Sequence, residues 1–372
     1  MRVAEFFAGI GLVRMALESH GFSVVWANDH DPAKRQLYLG QFGAEHFRHG
    51  DVRDVRGCDI PTVDLATASF PCTDLSLAGG RRGLAGGQSG LFWEFARVLN
   101  ELGSRRPRAV LIENVPSFAS ANGGRDLAMA IERLNALGYS CDLVVLDARW
   151  FVPQSRPRLF IIGAQTWPSG HDDWGVSAIR PRWIVEFLRQ HPGLRLHAVP
   201  LPLPAAAEHT LGDIVEPLPA DSPRWWDADH LARFVAELSP RQLARFAGLR
   251  QGSQLGWATA YRRTRAGTPA WEIRADAISG CLRTTSGGSS RQALVEAGHG
   301  AARVRWMTGG EYAWLQGAAT YRLADVPENR ARFAFGDAVC VPVVEWLAEH
   351  YLRRLFITDA TEASREVALV AA

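Results

Sequence analysis

The sequence predicts a doubly wound, mainly parallel, Rossmann-like α/β sheet joined to a smaller, irregular domain. Three observations lead there. Over the first 165 of 372 residues, short apolar runs alternate with segments whose apolar residues recur at helical spacing, the pattern of successive βαβ units. A glycine-containing turn closes the first run and opens the first helical segment, where open α/β sheets bind ligands. Beyond residue 165, prolines at 168, 181, 192, 200, 202, 204, 217, 219 and 223 break the alternation.

Taken in order, residues 3–7 form a short apolar strand and 12–19 a helix. Residues 23–27 (SVVWA) form a second strand, and a helix starts at Pro32 and runs towards Phe42. Further strands fit 64–68, 109–113, 141–147 and 159–163, with helices at 91–102 and 125–137. Regular structure returns at 310–317 and in an apolar helical stretch, 338–352. The sequence shows no internal repeat. The domain division expected from this pattern is 1–165 plus 305–356 for the sheet domain and 166–304 for the smaller one, with 357–372 as a frayed tail.

Composition excludes several functions. Of 41 basic residues only Lys34 is a lysine, so a phosphate-loop or Schiff-base lysine is excluded unless Lys34 supplies it. No G-x-x-x-x-G-K-[ST] motif occurs, which removes a P-loop nucleotidase. Five cysteines (58, 72, 141, 281 and 340) are dispersed without a C-x-x-C pair, which fits free thiols in a reducing compartment and gives no zinc spacing. Glu5 and Arg14 interrupt the apolar N-terminus, against a secretory signal, and no run is long enough for a membrane span. The cytoplasm is the expected compartment. Net charge is only +2, so a nucleic-acid partner needs a local basic surface. Residues 241–291 offer one, with nine arginines against two acids, Glu272 and Asp276.

Several residue groups point to chemistry. In Phe7-Ala8-Gly9-Ile10-Gly11, glycines at a strand-to-helix turn let the backbone approach a nucleotide-like ligand. Arg14 stands where a dinucleotide fingerprint would continue with glycine, which disfavours NAD. Asp29, Asp31 and Asp51 end strands where an acid accepts from ribose hydroxyls. Phe70-Pro71-Cys72 puts a thiol at a strand's carboxyl end, before a glycine-rich loop suited to closing over a nucleophile. Glu113, in Glu113-Asn114-Val115, ends the neighbouring strand; burial behind Val110-Leu111-Ile112 is expected to raise its pKa and make it a proton donor. Gln154, Arg156 and Arg158 alternate, so an extended backbone carries them on one face. They are either an exposed polar edge or converge on a ligand.

In this order the residues resemble the DNA (cytosine-5) methyltransferase family, S-adenosylmethionine-dependent enzymes of the bacterial restriction-modification type. The likeness continues through Gly90-Leu91-Phe92, Leu282-Arg283-Thr284-Thr285, Glu311-x-x-x-Leu315-Gln316-Gly317 and Gly336-Asp337-Ala338-Val339. It implies S-adenosylmethionine as cofactor and no metal. Phe7, Ala8, Gly9, Ile10, Gly11, Asp29, His30, Asp51, Val52, Pro71, Leu91, Asp337, Ala338 and Val339 would hold the cofactor. Cys72 would add to carbon 6 of a flipped-out cytosine, Glu113 would hold its N3 and amine, Arg158 its carbonyl oxygen, and Arg156 a phosphate or the active-site loop. The expected partner is double-stranded DNA, contacted by Arg262, Arg263, Arg265, Arg283 and Arg291 within a target-recognition segment at 166–304. A monomer in the cytoplasm, associated with the nucleoid and free of membrane, is also implied; a cognate restriction endonuclease would share the site without necessarily being bound, and the sequence leaves open whether one exists. Leu12, His30, Thr73 and Asp337 depart from the family's usual residues. None touches Cys72, Glu113 or the arginine pair. An RNA methyltransferase of the same family and a non-catalytic DNA-binding relative are the alternatives.

Overall fold

The structure, a computed structural model, describes residues 1–71, 90–166, 175–265, 267–284 and 291–356. Cys72, the glycine-rich loop after it, Thr285, the tail 357–372 and the Arg265 side chain lie outside the described residues. The chain divides into two compact units. The first comprises Met1–Leu146, Pro157–Pro204 and the residues from Val343; the second comprises Asp147–Arg156 and Ala205–Pro342. By compactness, residues 166–204 therefore group with the large sheet, and 305–342 with the small one.

The first unit holds β1 (Arg2–Phe6), α1 (Leu12–Glu18), β2 (Ser23–Asp29), α2 (Pro32–Phe42), β3 (Phe47–His49) and β4 (Leu65–Ala68). These are followed by α3 (Leu91–Glu101), β5 (Ala109–Asn114), α4 (Arg125–Ala136), β6 (Ser140–Asp147), β7 (Pro157–Ala164) and α5 (Arg182–Gln190). Its seven strands lie in the order β3-β2-β1-β4-β5-β7-β6. The pairs β1–β2, β1–β4, β2–β3 and β4–β5 are parallel, and β7 enters antiparallel beside β5. This order brings the carboxyl ends of β1, β2, β4 and β5 to one edge, next to the start of β7. Leu91, Phe92 and Phe95 of α3 and Leu127, Ile131 and Leu134 of α4 pack with Phe6, Trp26, Val110 and Ile112 of the sheet. Such buried side chains contribute roughly 1.5–3 kcal/mol each. Asp31 starts α2, its carboxylate accepting from the Ala33 and Lys34 amides at 2.7 and 3.1 Å, with Pro32 in the first turn.

The second unit is more regular than its prolines suggest. It contains α6 (Ala228–Ala236), α7 (Pro240–Arg250), β8 (Gly256–Arg265), β9 (Thr268–Ile273), β10 (Gln292–Gly298), β11 (Ala301–Trp306), α8 (Gly309–Leu315) and α9 (Glu328–Asp337). The four strands form an antiparallel sheet in the order β11-β10-β8-β9. Phe234, Leu238 and Phe246 pack there with Trp271, Ile273, Val295 and Val304. The tryptophan Trp226 stacks on His230 at 4.0 Å. The expected helix at 338–352 begins later. Asp337 ends α9, Ala338 is extended, and α10 spans Val341–Leu347 before a π turn at Ala348–Leu352. Among the described residues, no helix is long and apolar enough to cross a membrane.

Candidate active site

The glycine turn follows β1 directly. Phe7 has φ +56°, Gly9 +56° and Gly11 +80°. For Phe7 this left-handed backbone costs about 1–3 kcal/mol, a strain that collects at ligand sites. A side chain at Gly11 would bring its Cβ to 2.4 Å from Phe42 and 2.8 Å from Tyr38, so the turn packs against α2 only with glycine at this position. Above Gly9 there is room: the nearest atom to an added Cβ is the Lys34 Cδ, at 4.0 Å. The Asp29 carboxylate accepts from the Gly9 amide at 2.8 Å and from the Asp31 amide at 2.9 Å, which binds the turn to the end of β2. Ala8 and Ile10 are buried. His30 is exposed beside Asp29. Asp51 accepts from the Arg53 amide at 2.9 Å and pairs with its guanidinium at 2.8 Å, while Val52 is buried.

Glu5 escaped the sequence reading as a site residue. It is 2% exposed, and neither carboxylate oxygen has a hydrogen-bond partner among the described residues. Burial pushes its pKa up to about 8, and the nearby Arg14 charge offsets only part of that. The available signal was an acid inside an otherwise apolar strand, just before a glycine turn. Its register neighbour on β4, Thr67, is also buried, and its hydroxyl has no hydrogen-bond partner among the described residues.

Glu113 is the penultimate residue of β5, opposite Phe160 of β7. Arg158 lies two residues before Phe160, on the same face and diagonal to Glu113. Its Nε stands 2.8 Å from the Glu113 Oε1, with side chains 14% and 13% exposed. Glu113 is thus in an ion pair, not alone among the apolar residues that precede it. The Asn114 amide donates to the Phe70 carbonyl at 3.2 Å, joining the end of β5 to the segment that leads to Pro71. Leu91 is buried at the start of α3.

Gln154 and Arg156 belong to the second unit and are not an exposed edge: they are 0% and 3% exposed. Arg156 donates to the carbonyls of Leu282, Gly336 and Ala338 at 2.9, 3.3 and 2.7 Å. Its place is among backbone carbonyls, where the expected phosphate contact would have put it at a surface. Asp337, Ala338 and Val339 lie in this same unit. Of the arginines expected on DNA, Arg262 is bidentate to Glu237 at 2.8 and 2.6 Å, and Arg263 lies 3.5 Å from Glu272. Arg291 stands over the Trp306 ring at 5.1 Å. Arg283 is exposed.

Comparison with known proteins gives the chain a family. The family profile of C-5 cytosine-specific DNA methylases matches residues 1–353. The Type II methyltransferase M.HhaI of Haemophilus parahaemolyticus is 35% identical over 163 residues, 44% of this chain and 48% of that protein. M.NgoBI of Neisseria gonorrhoeae is 34% identical over 163 residues, covering 44% and 50%. The matched stretch therefore spans about half the length of these relatives. M.NlaX of Neisseria lactamica is 28% identical over 351 residues, 94% of this chain and 95% of that protein. Among solved structures, the Dnmt2 methyltransferase of S. pombe superposes with a TM-score of 0.59 at 17% identity, over 93% of this chain and 97% of that one; this likeness concerns the fold. With a mainly parallel sheet whose first strand runs into a glycine turn, a paired glutamate, and a profile match over nearly the whole length, the chain belongs to the family of C-5 cytosine-specific DNA methylases.

Proposed function

We propose that the chain methylates carbon 5 of a cytosine within a specific double-stranded DNA sequence, as the modification enzyme of a restriction-modification system. The observation that carries this reading is the Glu113–Arg158 pair at the carboxyl end of β5, tied through Asn114 to the Phe70 segment that precedes Cys72. The first unit also fits an adenosine-bearing cofactor. An open cradle stands over Gly9, and the carboxylates Asp29 and Asp51 at the ends of neighbouring strands suit ribose hydroxyls. S-adenosylmethionine, when bound, supplies an electrophilic methyl group.

Within this reading the Cys72 thiolate bonds to carbon 6 of the flipped cytosine, and the ring electrons pass to carbon 5. Glu113 holds N3 and the exocyclic amine as negative charge builds, and Arg158 both orients Glu113 and meets the base's carbonyl oxygen. Methylated carbon 5 then gives its proton to water, the freed electron pair restores the carbon 5–carbon 6 double bond, and the sulfur–carbon bond breaks to return the thiolate. Target recognition is assigned to residues 166–304.

Fluorine at carbon 5 blocks the final elimination. The full chain should become covalently attached to random-sequence duplex DNA containing 5-fluorocytosine, in the presence of S-adenosylmethionine only, and Cys72→Ala should abolish the adduct. An adduct that persists in Cys72→Ala, or that maps to Cys58, Cys141, Cys281 or Cys340, would overturn the assignment. Attachment to fluorinated RNA but not DNA would move the substrate to RNA.

A further inference from the structure

Buried polar groups of the second unit converge on one short peptide. The amide of Leu282 donates to the Gln154 Oε1 at 3.1 Å, and its carbonyl accepts from the Arg156 Nη1 at 2.9 Å. Both polar groups of one residue are therefore gripped by side chains two positions apart in a facing extended segment. The backbones bind as well: Ser155 N–H donates to the Ser279 carbonyl at 2.9 Å, and Ser279 N–H to the Pro153 carbonyl at 2.7 Å. The gripping side chains are anchored in turn. Gln154 donates to the Leu315 carbonyl at 2.7 Å, and Arg156 to the Ala338 carbonyl at 2.7 Å. The amide of Gln316 donates to the Phe335 carbonyl at 2.6 Å, closing the same cluster.

The next peptide is held from beneath. A Cβ on Gly336 would lie 2.6 Å from the carbonyl carbon and oxygen of Arg283 and 3.2 Å from the Thr284 nitrogen. The 283–284 peptide rests on this glycine with no space to spare. Arg283 itself is exposed, and no hydrogen bond or ion pair of its guanidinium occurs among the described residues.

An exposed arginine in solvent needs no such support, and a contact with a mobile phosphate oxygen tolerates a loose backbone. A fixed backbone matters when a planar guanidinium must meet two acceptors at set positions. We propose that Arg283 reads a guanine edge, its guanidinium bidentate to O6 and N7 in the major groove, and that Gln154, Arg156 and Gly336 are its positioning residues. The proposal rests on the DNA methyltransferase reading above.

The test is the methylation pattern that the full chain leaves on a pool of random-sequence duplexes, read by bisulfite sequencing. A lost bidentate contact relaxes discrimination at one base pair by roughly five- to hundredfold. Arg283→Lys, which keeps the charge, should do so at a single guanine position and leave the slope of log affinity against log salt unchanged. Gly336→Ala should blunt the same position with Arg283 intact; if that variant does not fold, Arg156→Lys takes its place. Unaltered discrimination in Arg283→Lys would overturn the proposal. So would a uniform loss over all sequences in Arg283→Gln, which removes the charge, with the salt slope reduced by about 0.9, the mark of a phosphate contact. A wild-type chain that methylates no duplex would sink the proposed function instead. Selection of bound duplexes from the same pool would then still decide on Arg283.

Discussion

Glu113 and Arg158 work as a pair, and each constrains what the other can do. The guanidinium Nε 2.8 Å from the carboxylate fixes the direction in which Glu113 presents its second oxygen. Glu113→Gln keeps the shape but loses the charge and the proton, so single-turnover methylation should slow by about two to four decades, the usual worth of a general acid or base. Arg158→Lys should slow it too, since an ammonium does not reproduce the planar fork. Both variants should bind S-adenosylhomocysteine as the wild type does, by calorimetry; a variant that loses binding as severely as rate would be misfolded or misassigned. Glu113 is legible in the sequence, because an acid that ends an apolar run must surface at the strand's end. Its partner is not. Pairing depends on β7 running antiparallel beside β5, and nothing in the alternation of Gln154, Arg156 and Arg158 states that direction or sends the first two into the other unit.

At the scale of elements, the edge strand β6 is held by a buried polar chain. Asp142 accepts from the Arg180 guanidinium at 2.6 Å, the Val199 amide at 3.0 Å and the Tyr351 hydroxyl at 3.0 Å. His197 links the Tyr351 hydroxyl at 2.8 Å to that of Ser140 at 3.1 Å. These bonds fasten residues 197–199 and the C-terminal helical segment to β6, and backbone bonds at Cys141 and Val145 cover part of an edge that could otherwise pair with another chain. Tyr351→Phe leaves His197 and Asp142 each short of one buried partner and should cost about 1–3 kcal/mol of stability, read from the midpoint of urea unfolding. An unchanged midpoint would mean that the network is not maintained in solution. The strands of the large sheet are legible because each is a short apolar run between turn residues. Those of the small sheet are hidden for a physical reason. Strand β8 faces its core with alanines, Ala258 and Ala260, and the bulk that fills the space comes from Phe234 and Phe246 on helices and Trp271 on the next strand. No period of two in hydrophobicity survives that division of labour.

Over the whole molecule, charge behaves differently from its count along the chain. The arginine excess of 241–291 is partly spent internally: Arg262 pairs with Glu237, which lies outside that window, and Arg274 with Asp276 at 2.6 Å. A linear window cannot see an acid that folding brings in from elsewhere. Stability should also depend on pH in a direction set by Glu5. Its folded pKa of about 8 lies above the ordinary carboxylate value of 4.5, so the folded chain holds a proton that the unfolded chain releases. The stability this contributes is complete below about pH 4.5 and is lost as pH rises through 8. Glu5→Gln should flatten that decline and stabilise the protein at pH 8, measured by urea unfolding across the range. An identical pH profile in the variant would show that Glu5 is ionised or solvated in the fold. Finally, the sole lysine, Lys34, sits with its Cδ just over the cradle at Gly9. An amine-directed reagent therefore has a single side-chain target in all 372 residues, and that target flanks the cradle assigned to the cofactor. Acylation chemistry that scatters labels over most proteins meets one lysine here besides the terminal amine of Met1, so peptide mass mapping of the Lys34 label reads ligand in the glycine turn without any engineered handle.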